Sequence, residues 1–147
     1  MSKRIICAFG AVFVCIIMAS CSEHREVADI DVPEGVTALI ESYMNAYKTS
    51  TEEAAQYAHF ESDFKKQVYI DSGDRILDYK IESAQKISDE LFALTILLKT
   101  KQDTDHYLRV YNFVARINNI WYYINGVGNI PPDLKANLNE EAYTYGA

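Results

Sequence analysis

The sequence predicts an α+β domain in which two or three N-terminal helices precede a four-stranded antiparallel meander. Two observations carry this reading. Apolar residues recur at helical spacing through the first half of the chain, then at every second residue from Leu77 onward. Turn-forming stretches at Asp71–Asp74, Gln102–Asp105 and Asn118–Asn119 punctuate the second half at hairpin spacing. At 147 residues the chain has room for one such domain.

The first helix is expected over 34–48. Val36, Leu39, Ile40, Tyr43, Met44 and Tyr47 make one apolar stripe, and Pro33 suits its start. Ser50 and Glu53 have the spacing of a capping box and open a second helix over 51–60. A third, short helix is expected over 62–69. Strands follow over 76–87, 91–101, 106–117 and 120–125, the second richest in apolar residues and so the more central. Loops of even length would place Phe113 opposite Leu94 and Ile124, Tyr111 opposite Ile96, Ala115 opposite Tyr122, and Ile117 opposite Ile120. That apolar face is assigned to the helices. The other face would then carry Asn112 opposite Thr95 and Asn125, Val114 opposite Tyr123, and Arg116 opposite Trp121. A loop of odd length would swap the faces of one strand, because side chains alternate with a period of two. The eleven tyrosines suit such a sheet, whose positions often have one wet end. Residues 131–147 are read as a C-terminal tail with a helical turn or two that then frays.

Residues 1–20 read as an address rather than as part of the domain. Lys3 and Arg4 precede a run from Ile5 to Ala19 that carries no charge. The run is short for a bilayer span, which needs about 20 apolar residues. It ends Met18-Ala19-Ser20-Cys21, which resembles the lipobox of bacterial lipoprotein signal peptides. The resemblance implies cleavage before Cys21 and a diacylglyceryl group on its sulfur. It also implies a protein held by lipid on the extracytoplasmic side of a bacterial cell membrane. Two acyl chains give stable anchoring where one does not. Cys7 and Cys15 would leave with the leader, so the mature domain has no disulfide and no cysteine-based metal site. Residues 21–33 are polar and acidic without helical period and read as a tether.

The net charge of −7 becomes more negative once Lys3 and Arg4 are removed. It argues against nucleic acid as a partner, against binding of anionic lipid head groups through the domain itself, and for solubility at a crowded surface. Gly126 and Gly128 lack the third glycine and the strand–helix context of a phosphate loop. No triad, zinc-protease or nucleotide-binding motif is present.

Residues 34–130, helices then a meander ending Asn119-Ile-Trp121-Tyr-Tyr-Ile124, resemble the nuclear-transport-factor-2-like superfamily. That resemblance implies a curved sheet wrapped around a long helix as a cone. The superfamily holds ketosteroid-isomerase-like and dehydratase-like enzymes as well as pure binding modules, so the fold does not choose the activity. Its enzymes use an Asp base or a His–Asp pair inside the cone. Here His59 reads as a helix-surface or core histidine. Asp103, Asp105 and His106 read as a solvated turn rather than a metal site. A buried base would have to come from a helix, as from Glu41. No catalytic residue, metal ligand or cofactor is therefore assigned. The expected activity is non-enzymatic binding, with a cone-cavity isomerase or dehydratase as the alternative. The expected binding residues lie on the sheet face away from the helices: Thr95, Asn112, Arg116, Trp121 and Tyr123. Arg116 beside Trp121 permits a cation–π contact. An exposed aromatic face of this kind would meet a second copy or another envelope protein.

Overall fold

A computed structural model describes residues 31–144. The expected leader, Cys21 and most of the expected tether lie outside the described residues. The chain is α+β. Helices α1 (Glu34–Thr49), α2 (Thr51–Ala54) and α3 (Asp63–Asp71) precede strands β1 (Ile76–Ser88), β2 (Leu91–Thr100), β3 (Leu108–Ile117) and β4 (Ile120–Ile124). The strands form one open antiparallel sheet in sequence order. Short 3₁₀ turns at Val127–Asn129, Lys135–Asn137 and Glu140–Tyr143 close the chain.

Local chemistry explains the helix starts. Ser50 Oγ accepts from the Glu53 backbone N–H at 3.1 Å, and Ser62 Oγ accepts from that of Lys65 at 3.3 Å. Each satisfies a donor that has no partner within its own helix. α2 is much shorter than the expected 51–60. The chain leaves it to pair with the outer edge of β4: the His59 N–H donates to the Tyr123 carbonyl at 2.8 Å, and the Tyr123 N–H to the Tyr57 carbonyl at 2.9 Å. This short parallel bridge covers one sheet edge. The other edge, β1, is interrupted at three register shifts, and it carries Lys80, Glu82 and Lys86. Bulges and charges are the usual protection of an open edge against unwanted pairing.

The β3–β4 hairpin has the expected register, with Phe113 opposite Ile124, Val114 opposite Tyr123 and Arg116 opposite Trp121. Asn118 and Asn119 both take positive φ, 51° and 64°, as a two-residue hairpin turn of this hand requires. The β2–β3 register differs from expectation by one residue. Phe113 lies opposite Ala93, Asn112 opposite Leu94, and Thr95 opposite Tyr111. The cause is the connecting loop, which is longer than Gln102–Asp105 and odd in length. Side chains build it: Thr100 Oγ1 accepts from the Asp103 N–H at 3.2 Å, while Asp103 Oδ1 accepts from the N–H groups of Asp105 and His106 at 3.1 and 3.0 Å.

The one-residue shift reassigns the faces. Phe92, Leu94, Ile96 and Leu98 of β2 join Val110 and Val114 of β3 and Tyr123 of β4 in the layer that meets α1. There they pack on Val36, Ile40, Tyr43 and Met44. The face expected to meet the helices, with Phe113, Ala115 and Ile124, points the other way. It is covered by the C-terminal segment, where Ile130 is buried and Leu134, Leu138 and Tyr143 pack over the strands. Tyr143 stands edge-on to both Tyr111 and Phe113, at 5.7 and 5.4 Å between ring centres. The sheet therefore has an apolar layer on each side.

Candidate binding surface

The structure overturns the outward placement of the expected binding residues. Asn112, Arg116, Trp121 and Tyr123 do share a face, but it is the face beneath α1. Thr95, paired with Tyr111, lies on the opposite face, so the expected polar row across three strands does not form. Asn112 is 3% exposed. Its Nδ2 donates to the Tyr123 hydroxyl at 2.8 Å, and its Oδ1 accepts from the Gly126 N–H at 3.2 Å. Gly126 has φ of 78°, where a side chain would be strained, so Asn112 fixes the turn that leaves β4. The Tyr123 ring lies flat on Tyr43, 3.6 Å between centres and 10° from parallel. The Tyr43 and Tyr69 hydroxyls share a hydrogen bond of 2.8 Å. Burial pushes the Tyr43 hydroxyl well above its ordinary range, and burial does the same to Tyr69, so both stay neutral in ordinary buffers. These residues are interior packing, tied by hydroxyls.

Arg116 and Trp121 sit at the margin of this layer. The guanidinium carbon lies 5.7 Å from the Trp121 ring centre, the expected cation–π contact, and Trp121 in turn lies 5.9 Å from Phe92. Arg116 Nη2 also reaches Glu90 at 3.6 Å, an exposed pair of small energetic weight.

The remaining candidates form no buried catalytic group. Glu41 is exposed, not a buried base. His106 and Asp103 pair at 3.2 Å on an exposed turn, and backbone N–H bonds, first from His106, hold the Asp103 carboxyl below its usual range. His59 is half-buried against Tyr122, and burial lowers its pKa. Among the described residues no group of three potential ligands converges as a metal site would require.

The surface that stands out is α3, which contributes no buried residue. Phe64 is 77% exposed and Val68 is 53% exposed, one turn apart on the same side of the helix. They border a groove of about 330 Å³ whose floor and walls include Phe60, Tyr69, Asn125 and Asn129. α3 is pinned at both ends. The Glu61 N–H donates to Asn129 Oδ1 at 3.3 Å, Lys65 Nζ pairs with Glu61 and donates to the Gly128 carbonyl at 3.3 Å, and Thr51 Oγ1 donates to the Ile70 carbonyl at 2.9 Å. Tyr69 turns inward, 5.2 Å from Phe60 and 5.9 Å from Tyr47. Anchoring Tyr69 inward leaves Phe64 and Val68 pointing out. Their signal in the sequence is an i, i+4 apolar pair within the polar run Asp63–Asp71. Spacing alone does not say whether such a pair faces the core or the solvent.

No protein-family profile matches the chain, and no curated protein matches it. The functional reading therefore rests on the residues themselves.

Proposed function

We propose that this chain is a lipoprotein tethered by lipid on Cys21 to the extracytoplasmic side of a bacterial cell membrane. Its domain, of the nuclear-transport-factor-2-like cone type, acts as a non-enzymatic binding module. The leader pattern ending Ala19-Ser20-Cys21 supports the address. The order of three helices and a four-stranded meander supports the family reading. The single observation that carries the binding role is the pair Phe64 and Val68, apolar side chains left in water on a helix with no fully buried residue. The binding surface is thus α3 with its groove, in place of the outward sheet face first expected. The isomerase-like alternative needs an open interior with a buried acid. The stacked Tyr43 and Tyr123 occupy that interior, and the buried polar residues among those described are Thr51 and Asn112.

The test is site-specific photo-crosslinking in cells. A photoreactive residue at Val68 is expected to form an adduct, and one at the exposed Leu108 of β3 is not. Equal yields at the two positions, or none at Val68, would remove α3 as the binding surface.

A further inference from the structure

We infer that residues 131–144 form a detachable strap: they swing away from the sheet as a unit, about Pro131 and Pro132, and uncover the second apolar face while the α1 side stays folded.

The two faces of the sheet are closed in different ways. On one, α1 sinks Val36, Ile40, Tyr43 and Met44 into the core until they are fully buried. On the other, Leu91, Phe113, Ala115 and Ile124 are buried as deeply, but the segment that covers them is not. Leu134, Leu138 and Tyr143 lie on that face half-buried, and none of residues 131–144 is fully buried.

Backbone bonding shows the same contrast. The Leu134, Lys135, Leu138 and Ala142 N–H groups each donate to a carbonyl three residues back, within the segment. Among the described residues none of its N–H groups donates to a strand. These turns travel with the strap when it leaves, so opening breaks no backbone bond and exposes no donor that was paired. One side-chain bond ties the strap to the sheet among the described residues, from the Tyr143 hydroxyl to Gln85 Oε1 at 3.1 Å.

The hinge follows from what is fixed before it. Asn129 Oδ1 accepts from the Glu61 N–H, the Gly128 carbonyl accepts from Lys65 Nζ, and Ile130 is 2% exposed. Pro131 and Pro132 come next, and neither has an N–H with which to join the sheet. The chain thus passes from pinned to loosely held within two residues. Closed, the strap masks Phe113 and its neighbours; open, it leaves an apolar patch on a domain whose α1 core is intact.

The test is thiol labelling of the full chain. Ala93 pairs with Gln85 on one side and Phe113 on the other, the two residues that Tyr143 touches, so it lies beneath the strap. Val114 lies beneath α1. Ala93→Cys and Val114→Cys are each treated with a small thiol reagent, and peptide mass spectrometry reads the label at each position. Without denaturant, labelling at position 93 is expected to be about tenfold or more faster than at 114, because local opening is far more frequent than global unfolding. It should also be nearly flat in low urea, since opening the strap exposes little surface, while labelling at 114 rises steeply. Tyr143→Ser should speed labelling at 93 several-fold. Ala115→Cys, on the same face, becomes the reporter if circular dichroism shows that Ala93→Cys misfolds. Rates at 93 and 114 that agree within a few-fold and rise together in urea would overturn the inference, since the segment would then leave only when the whole domain unfolds. So would a rate at 93 that Tyr143→Ser leaves unchanged.

Discussion

Replacing Asn112 by alanine separates the two registers of β2 against β3. In the structure its side chain is buried and makes two bonds, to the Tyr123 hydroxyl and to the Gly126 N–H. Each such bond contributes about 0.5–1.5 kcal/mol net, and a buried polar group left without its partner costs about 1–3 kcal/mol. Alanine can make neither bond, so Asn112→Ala is expected to cost about 2–4 kcal/mol. For a domain of this size that lowers Tm by roughly 10–20 °C. On the register expected from even loops, Asn112 would sit on a wet sheet face, and the same change would stay within about 0.5 kcal/mol. The assay is urea unfolding of the Cys21→Ser chain without residues 1–20, followed by circular dichroism. Tyr123→Phe is the control: it removes one hydroxyl and one of the two bonds, and should cost about 1 kcal/mol. A destabilisation below about 0.5 kcal/mol for Asn112→Ala would refute the face assignment.

Other outcomes follow from the same structure. Phe113→Ala should cost about 3–5 kcal/mol, because the ring is fully buried between the sheet and Tyr143. Deleting residues 131–147 should expose Phe113, Ala115 and Ile124 and raise binding of an apolar dye, while a tail that only frays would leave it unchanged. Phe64→Ser with Val68→Ser should leave stability within about 0.5 kcal/mol per site in urea unfolding, since neither side chain is buried. Tyr43 and Tyr69 keep their protons in the folded state above the ordinary tyrosine value of 10.0, where the unfolded chain releases them. Stability should therefore fall as pH rises above about 10, with delayed tyrosinate absorbance in the folded protein. Cys21→Ser should abolish incorporation of labelled fatty acid, and absence of label in the wild type would end the lipoprotein reading.

The element order is legible in the sequence because the period changes sharply between Tyr47 and Leu77, and because Asn118-Asn119 is a turn with a definite length. The β3–β4 register is legible for the same reason. The β2–β3 register is not. Thr100, Asp103 and His106 extend that loop through side-chain bonds, and its odd length decides which face of β3 and β4 meets α1. The consequence reaches the site. Asn112 and Tyr123 read as an exposed polar–aromatic row, when they are an interior pair that holds the Gly126 turn. Leu134, Leu138 and Tyr143 read as a loose end, although their spacing lets each reach back over the sheet. α2 ends early because residues 57–59 satisfy their backbone on the β4 edge, a long-range pairing that helical spacing does not reveal. α3 reads as a helix, but which of its apolar residues turn inward depends on Tyr69 meeting Tyr43, a contact between distant parts of the chain.

The most direct measurement is the rate at which single cysteines react with a membrane-impermeant thiol reagent in cells whose envelope has been opened to it. Phe64→Cys and Val68→Cys, at exposed positions, should react quickly without denaturant. Val114→Cys, opposite Tyr123 and beneath α1, should stay protected until denaturant is added. Fast reaction at position 114 together with protection at positions 64 and 68 would contradict this arrangement. It would place the β3–β4 face outside and α3 inside.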